Sequence, residues 1–188
     1  MKKKIEVESN LGKGFTLIEL LAVIVILALL VLVAMPAVTR IIDSSTKNSF
    51  KNEILGVAKN METAYTDKWG KGETESDNTK VDTKIHTISI TEGETTKSYS
   101  YLCMTLANLN SEQYQKKNLG DKYGGYLQMF VGDGVSITVI NTTNGSYYMQ
   151  GRSSALEAGE PQKAVNSYGA VSSTTTCPAA STITAIPA

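Results

Sequence analysis

One uninterrupted apolar run near the N-terminus constrains this chain more than any other feature. From Phe15 through Val38 the only ionisable side chain is Glu19, and the run contains no glycine. A helix needs roughly 20 apolar residues to cross the hydrocarbon core of a bilayer, so the run predicts a membrane-spanning helix. A secretory signal instead has an apolar region of about 7–15 residues with its cleavage site on the far side. Here a lysine and a glycine, Lys13 and Gly14, precede the run, so a cut at that point would leave the helix on the mature protein.

The carboxylate of Glu19 is the feature of this run that points to function. A charged group inside an apolar segment costs about 2.5–3.5 kcal/mol on insertion scales and is a functional-site hypothesis by default. One interpretation is that Glu19 lies near the helix end and reaches the lipid headgroups. The other is that it pairs with a positive partner in an assembly. A cut between Gly14 and Phe15 would create an α-amino group at Phe15, and Glu19 of one molecule would then pair with that amine on a neighbour and fix the axial stagger.

The residues around the predicted cut resemble a known motif. Residues 13–20, with the sequence KGFTLIEL, are similar to the processing and assembly motif of type IV pilins and the related pseudopilins. The resemblance covers about residues 13–36, with a looser helical likeness as far as Trp69. It implies that a membrane aspartyl peptidase cleaves after Gly14 and methylates the new N-terminal Phe15.

The resemblance also implies roles for two residues of the helix and a set of partners. Glu19, five residues into the mature chain, would be the assembly glutamate, and Pro36 would be the helix proline near which the helix kinks or unwinds in filaments. The implied partners are other copies of the chain or other pilins, the prepilin peptidase and methyltransferase, and a pilus assembly platform. The membrane would hold the subunit before assembly, and no cofactor or nucleic acid is required.

The sequence predicts an α+β fold in which a long N-terminal helix, transmembrane in its first half and amphipathic in its second, packs on a small antiparallel β-sheet head. Five segments follow from this prediction. They are a removed leader (1–14), a transmembrane and filament-core helix (15–38), its amphipathic continuation (39–69), a globular β head (70–151) and a C-terminal region rich in Ser, Thr and Ala (152–188).

Charge distribution gives the predicted orientation. Four lysines of the leader would keep it on the cytoplasmic side of the membrane with the head outside, and the assembled subunit would be extracellular. The chain has 18 basic and 18 acidic residues, and the leader removes more basic than acidic ones, so the mature chain is slightly acidic. There is therefore no basic surplus that would favour nucleic-acid binding.

Apolar residues after Pro36 recur at helical spacing and predict a buried stripe that ends near Trp69 and Gly70. The charged side chains of this segment are placed outside the stripe. The stripe comprises Ile42, Phe50, Ile54, Val57, Met61, Ala64 and Tyr65, and the outside positions are Lys47, Lys51, Lys59 and Glu62.

Alternating patterns and glycine turns predict the head. Residues 85–91 form a strand that residues 99–102 extend, and His86 is placed at its surface or edge. Residues 126–131 and 135–140 form a hairpin around Gly132-Asp133-Gly134, which is a turn rather than a calcium loop. A second turn at Asn144-Gly145 leads into a third strand, which gives a meander with one face on the helix stripe.

The two cysteines lie in the exported part of the chain. Cys103 and Cys177 form either one disulfide or two buried free thiols, and a disulfide would stabilise by about 4 kcal/mol in chain-entropy models. Residues from Arg152 onward cannot build a core alone, and the bridge would tie them to the head.

No catalytic constellation, metal-ligand spacing or phosphate loop is recognisable, so an enzyme is rejected. The first hypothesis is a prepilin that polymerises into an extracellular filament for adhesion, motility or DNA uptake. The alternative is a pseudopilin of a type II secretion or competence apparatus. A third is a surface protein anchored by its signal that never polymerises.

Overall fold

A computed structural model of the chain describes residues 14–76, 83–114, 123–159, 165 and 176–187. The chain divides into two units, Met1–Asp43 and Ser44–Ala188. Helix α1 (Leu17–Gly70, 54 residues) contributes to both units. Each unit is described separately below.

The N-terminal unit consists, where it is described, of the first part of α1 and the three residues before it. Every side chain from residue 14 to residue 42 is exposed, although most of them are large and apolar. This part of α1 is long and apolar enough to cross a membrane. An apolar helix without a covering surface of its own needs lipid or other protein around it.

The head unit contains a six-stranded sheet whose strand order follows the chain. Its first two strands run parallel, and all other neighbours are antiparallel. The strands are β1 (Thr74–Glu75), β2 (Ile85–Glu92), β3 (Thr95–Thr105), β4 (Gly124–Gly132), β5 (Val135–Thr143) and β6 (Tyr148–Arg152). Two short helices follow β3 and β6, α2 (Leu106–Ser111) and α3 (Ser153–Ala158), and a 3-10 helix spans Ala180–Thr182. The predicted α+β architecture, a long helix on a mostly antiparallel sheet, is confirmed.

The β4–β5 hairpin has the predicted turn. Asp133 and Gly134 both have positive φ, 53° and 71°, which is the backbone of a two-residue hairpin loop. Asp133 also forms an ion pair with Lys97, with 2.7 Å between Asp133 Oδ2 and Lys97 Nζ. The prediction that residues 99–102 extend the strand at 85–91 is wrong, because the chain reverses at Gly93 (φ 65°) and the two segments pair as separate strands.

The inner face of the sheet packs on the second part of α1. The buried helix residues include Phe50, Ile54, Val57, Met61 and Ala64, as predicted. They pack with Leu102, Met104, Leu127, Met129, Ile140 and Met149 from the sheet. Ile42, predicted in the stripe, is 58% exposed because the buried part of the helix begins at Phe50.

The prediction that Lys51 lies outside the stripe is wrong. Its side chain is only 7% exposed, and Nζ donates hydrogen bonds to the carbonyl oxygens of Glu157 (3.0 Å) and Gly159 (2.6 Å). Those carbonyls lie at the C-terminal end of α3, where a helix leaves its last acceptors unpaired. A cation at that end is stabilised by the same acceptors and by the helix dipole. Lys51 therefore joins α1 to α3.

The C-terminal end of α1 is fastened in a similar way. Lys68 is 2% exposed, and its Nζ lies 3.0 Å from Glu73 Oε2 and 3.3 Å from Glu112 Oε2. The helix ends at Gly70, and Gly72 has a left-handed φ of 70°, as a C-terminal stop requires. This ion-pair cluster connects the helix end to the residues after α2.

The outer face of the sheet is covered by the C-terminal segment, residues 176–187. Ala180, Ile183 and Ile186 pack against a second apolar cluster of strand residues. Its members from the strands are Ile88, Ile90, Tyr99, Tyr101, Cys103, Tyr126, Phe130, Ile137 and Val139. A disulfide joins Cys103 on β3 to Cys177, and the Tyr101 hydroxyl donates to the Pro178 carbonyl at 3.3 Å. Of the two states open to the cysteines, the structure forms the bridge.

This cover explains why His86 is not at the surface, contrary to the prediction. His86 pairs with Tyr101 across β2 and β3 and is 1% exposed. Its neighbours two and four residues along the strand, Ile88 and Ile90, belong to the outer cluster. The prediction placed His86 at a surface or edge, whereas a segment roughly 90 residues later in the chain covers this face of the sheet.

Candidate assembly site at the start of the long helix

The side chains of Thr16 and Glu19 cap the start of α1, each accepting a hydrogen bond from the other residue's backbone N–H. Thr16 lies immediately before the helix, and its Oγ1 accepts a hydrogen bond from the Glu19 backbone N–H at 3.3 Å. Glu19 Oε2 in turn accepts from the Thr16 backbone N–H and from its hydroxyl, both at 2.8 Å. This is a capping box, in which a threonine and a glutamate three residues apart satisfy the first free N–H groups of a helix.

The capping box defines what the Glu19 carboxylate can do in a single subunit. Its negative charge lies in the first turn of the helix, where the helix dipole favours an anion. In an apolar environment, the two hydrogen bonds from Thr16 would partly replace the bonds that the Glu19 carboxylate makes to water. The side chain remains exposed, so the carboxylate is accessible to a partner outside its own chain.

Gly14 and Phe15, the two residues of the predicted cleavage, lie just before the capping box. Both are exposed, and the Phe15 side chain is 87% exposed. Among the described residues, no atom lies within 4 Å of the position that a Cβ on Gly14 would occupy. In the described part of the chain, packing therefore does not require a glycine at residue 14.

Pro36 lies inside α1, and the helix is continuous through it. Proline lacks an N–H and removes one backbone hydrogen bond from the helix. Three residues later, the Thr39 hydroxyl donates to the carbonyls of Met35 (3.2 Å) and Pro36 (3.1 Å). Such bonding to the preceding turn often bends helices. The kink at Pro36 remains a prediction.

Comparison with protein families decides how this site is classified. A profile for the prokaryotic N-terminal methylation motif matches residues 10–35. The chain carries the signature of type IV pilins and pseudopilins. The match includes Gly14, Phe15 and Glu19, and it ends one residue before Pro36. Comparison with curated proteins and with solved structures found no match.

The structure places the sequence-predicted residues in two separate regions. Gly14, Phe15 and Glu19 lie together at the start of α1, within the signature. Cys103 and Cys177 belong to the head unit. The signature and the apolar helix fit the precursor of a membrane-anchored, pilin-like subunit.

Sequence reasoning missed Thr16. It placed the Glu19 carboxylate either among lipid headgroups or on another molecule, whereas the structure gives it a partner in its own chain. The signal was present, because a threonine followed three residues later by a glutamate, directly before an apolar run, is the sequence pattern of a capping box.

Proposed function

We propose that this chain is a prepilin, cleaved after Gly14, methylated at the new N-terminus of Phe15 and polymerised into a type IV pilus-like extracellular filament. The observation that supports this most strongly is the methylation signature at residues 10–35. Glycine at residue 14 has no packing role among the described residues, so selection by a processing enzyme is the simplest reason for it. Adhesion, motility or DNA uptake would be the function of the filament.

The exposed N-terminal part of α1 supplies the driving force for assembly. Before assembly, lipid would surround its apolar side chains, and the subunit would be a single-pass membrane protein with its head outside. In a filament, the same side chains would pack on those of other subunits. Because lipid tails are as apolar as leucine, this exchange depends on packing and on polar contacts rather than on removal from water.

Glu19 would supply the polar contact that sets register. Cleavage converts the amide nitrogen of Phe15 into a charged amine, which is the missing cation for the Glu19 carboxylate of a neighbouring subunit. Charge-assisted hydrogen bonds are about twice as strong as neutral ones, and they gain further strength away from water. A glutamate that already holds its own helix start would thus be positioned for a neighbour.

The proposal is tested on protein sheared from the cell surface. The expected result is a filament whose subunits begin at N-methylated Phe15, established by N-terminal sequencing and intact mass. In cells making Glu19→Val, the subunit should be cut but no filament recovered. Glu62→Val, which changes an exposed glutamate of the same helix in the head unit, is the matched control and should form filaments.

Three outcomes would contradict parts of this proposal. An uncut chain found only in membranes would leave a simple membrane anchor. Filaments from Glu19→Val would reject the pairing role of the carboxylate. Normal pili after deletion of the gene, with secretion or DNA uptake lost, would favour a pseudopilin of a secretion or competence apparatus.

A further inference from the structure

A cavity on the outer face of the head has the composition of a ligand site. Its volume is about 440 Å³, within the range of roughly 300–1,000 Å³ that small-molecule sites occupy. It lies over β4, β5 and β6, and Pro187 of the C-terminal segment forms one wall. Neither the apolar helix nor the methylation signature contributes to it.

Strand register brings the polar side chains of the cavity together. Tyr126 on β4 is opposite Asn141 on β5, and Asn141 is opposite Gln150 on β6. Gln128 lies two residues after Tyr126 on β4, and Tyr148 lies two residues before Gln150 on β6. Because alternate residues of a strand share one face, all five belong to the outer face of the sheet.

The lining is polar but uncharged. Among the described residues that line the cavity, the polar side chains are three amides and two phenols. The Gln128 side chain is 2% exposed and donates through Nε2 to the Tyr101 hydroxyl at 3.1 Å. Burial raises the pKa of Tyr101 to about 12, so this hydroxyl stays neutral. A charged ligand would find no counter-ion among these lining residues.

One acceptor in the cavity is left unsatisfied within the described structure. Asn141 Oδ1 is buried and has no hydrogen-bond partner among the described residues. A buried acceptor without a partner costs about 1–3 kcal/mol, and native proteins contain few of them. Asn141 lines the cavity, and a turn of its amide toward the cavity would let a ligand hydroxyl donate to this oxygen and remove the cost.

The cavity wall is fixed before any ligand arrives. The Cys103–Cys177 disulfide and the bond from Tyr101 to Pro178 hold the C-terminal segment at one end. Arg152 Nε donates to the Pro187 carbonyl at 3.0 Å and holds the other end. Fixing a site in its binding shape reduces the entropy lost on association.

We propose that this cavity binds a neutral saccharide unit of a glycan. Sugar hydroxyls both donate and accept, which matches the amide groups of Asn141 and Gln150. The C–H face of a sugar ring is apolar and packs on aromatic rings, and the partly exposed ring of Tyr148 supplies one. This site is independent of cleavage and assembly, so it does not rest on the proposed function of the filament.

Saturation-transfer NMR on the full chain tests the proposal. The protein is kept in a detergent without a sugar headgroup, since a glycoside detergent would compete for the cavity. The probes are the methyl glycosides of glucose, galactose, mannose and N-acetylglucosamine, with N-acetylneuraminic acid as the acidic sugar and cyclohexanol as the apolar control. At least one neutral glycoside should receive saturation from the protein, whereas the acidic sugar and cyclohexanol should not.

Variants assign the signal to the cavity. Asn141→Leu keeps the number and branching of the side-chain heavy atoms and removes the unsatisfied acceptor, so affinity for the bound glycoside should fall about tenfold. Gln150→Leu, at an exposed position, should also weaken binding and serves if Asn141→Leu does not fold. Asn52→Leu, an exposed amide on α1 in the same unit, is the matched control and should bind as the parent does.

The results that overturn the proposal are distinct from these. They are no saturation transfer to any neutral glycoside, equal transfer to cyclohexanol, preference for the acidic sugar, or unchanged binding in both cavity variants when each melts at the parent temperature. None of these results concerns processing at Gly14, so they test the saccharide proposal independently of the filament proposal.

Discussion

Glu19 has two partners that differ in kind, one inside the subunit and one outside it. Inside, Thr16 supplies an N–H and a hydroxyl to its carboxylate. Outside, the amine of a cleaved neighbour is the partner that we propose. The first contact needs only a hydrogen-bond acceptor at residue 19, whereas the second needs a negative charge. Substitutions can therefore separate the two.

Glu19→Gln removes the charge and keeps the acceptor, because glutamine also serves as the third helical residue of a capping box. We expect normal cleavage and loss of filaments. Thr16→Ala removes the cap at a cost of about 1 kcal/mol and keeps the charge, so filaments should persist. Intact mass measures cleavage, and electron microscopy of sheared material measures filaments. Abundant filaments from Glu19→Gln would show that assembly depends on hydrogen bonding alone.

Lys51 is the second residue whose role depends on its partners. Replacing it with methionine keeps the apolar stem and removes two hydrogen bonds to the carbonyls of Glu157 and Gly159. Bonds to a charged group contribute about 1.5–3 kcal/mol each, so losing two of them in Lys51→Met should lower the free energy of unfolding by at least about 3 kcal/mol. Lys59→Met, on the exposed face of the same helix, should change it by less than about 0.5 kcal/mol. Equal melting temperatures for the two variants would contradict the role assigned to Lys51.

At the scale of the elements, β4 has a strict backbone requirement at Gly125. Gly125 has φ 103°, and a Cβ there would lie 2.1 Å from the backbone oxygen of Asn141 on the neighbouring strand. Both the conformation and the close approach exclude a side chain. Gly145, in the turn before β6, has φ 87° but nothing within 4 Å of its Cβ position among the described residues.

These two glycines give a matched pair of substitutions. Gly145→Ala introduces only backbone strain, about 1 kcal/mol. Gly125→Ala adds a clash with backbone that cannot move without breaking the β4–β5 ladder, so it should cost at least about 3 kcal/mol. Thermal unfolding of the two purified full-length variants measures the difference. A Gly125→Ala protein as stable as Gly145→Ala would mean that the strand pairing shifts easily.

Local sequence codes were sufficient to predict the elements whose partners are close in the chain. The Asp133-Gly134 turn and the helix stripe from Phe50 to Ala64 were found because each is specified by a few neighbouring residues. Lys51 and His86 were misassigned because distant segments, α3 and residues 176–187, decide their burial. The outer-face cavity was not predictable for the same reason, since register between three strands assembles it.

At the scale of the whole molecule, the two units meet different requirements. The head buries two apolar clusters, one on each face of its sheet, and fastens its last residues with a disulfide. The N-terminal unit, where described, buries none of its side chains from residue 14 to residue 42. An apolar helix that buries none of its own side chains needs lipid or other protein around it, which agrees with the polymerising subunit that we propose.

Removing the disulfide tests how much the stability of the head depends on the C-terminal segment that covers its outer face. It joins residues 74 positions apart, and closing such a loop stabilises by about 4 kcal/mol in chain-entropy models. The double variant Cys103→Ala, Cys177→Ala should therefore melt well below the parent. Amide hydrogens of residues 176–187 should exchange faster in it, because release of Cys177 loosens the segment over Tyr101 and Phe130. A reducing agent should lower the melting temperature of the parent and leave the variant unchanged. If the variant kept both the parent melting temperature and slow exchange, apolar packing alone would hold the cover, and the outer-face cavity would keep its wall without the bridge.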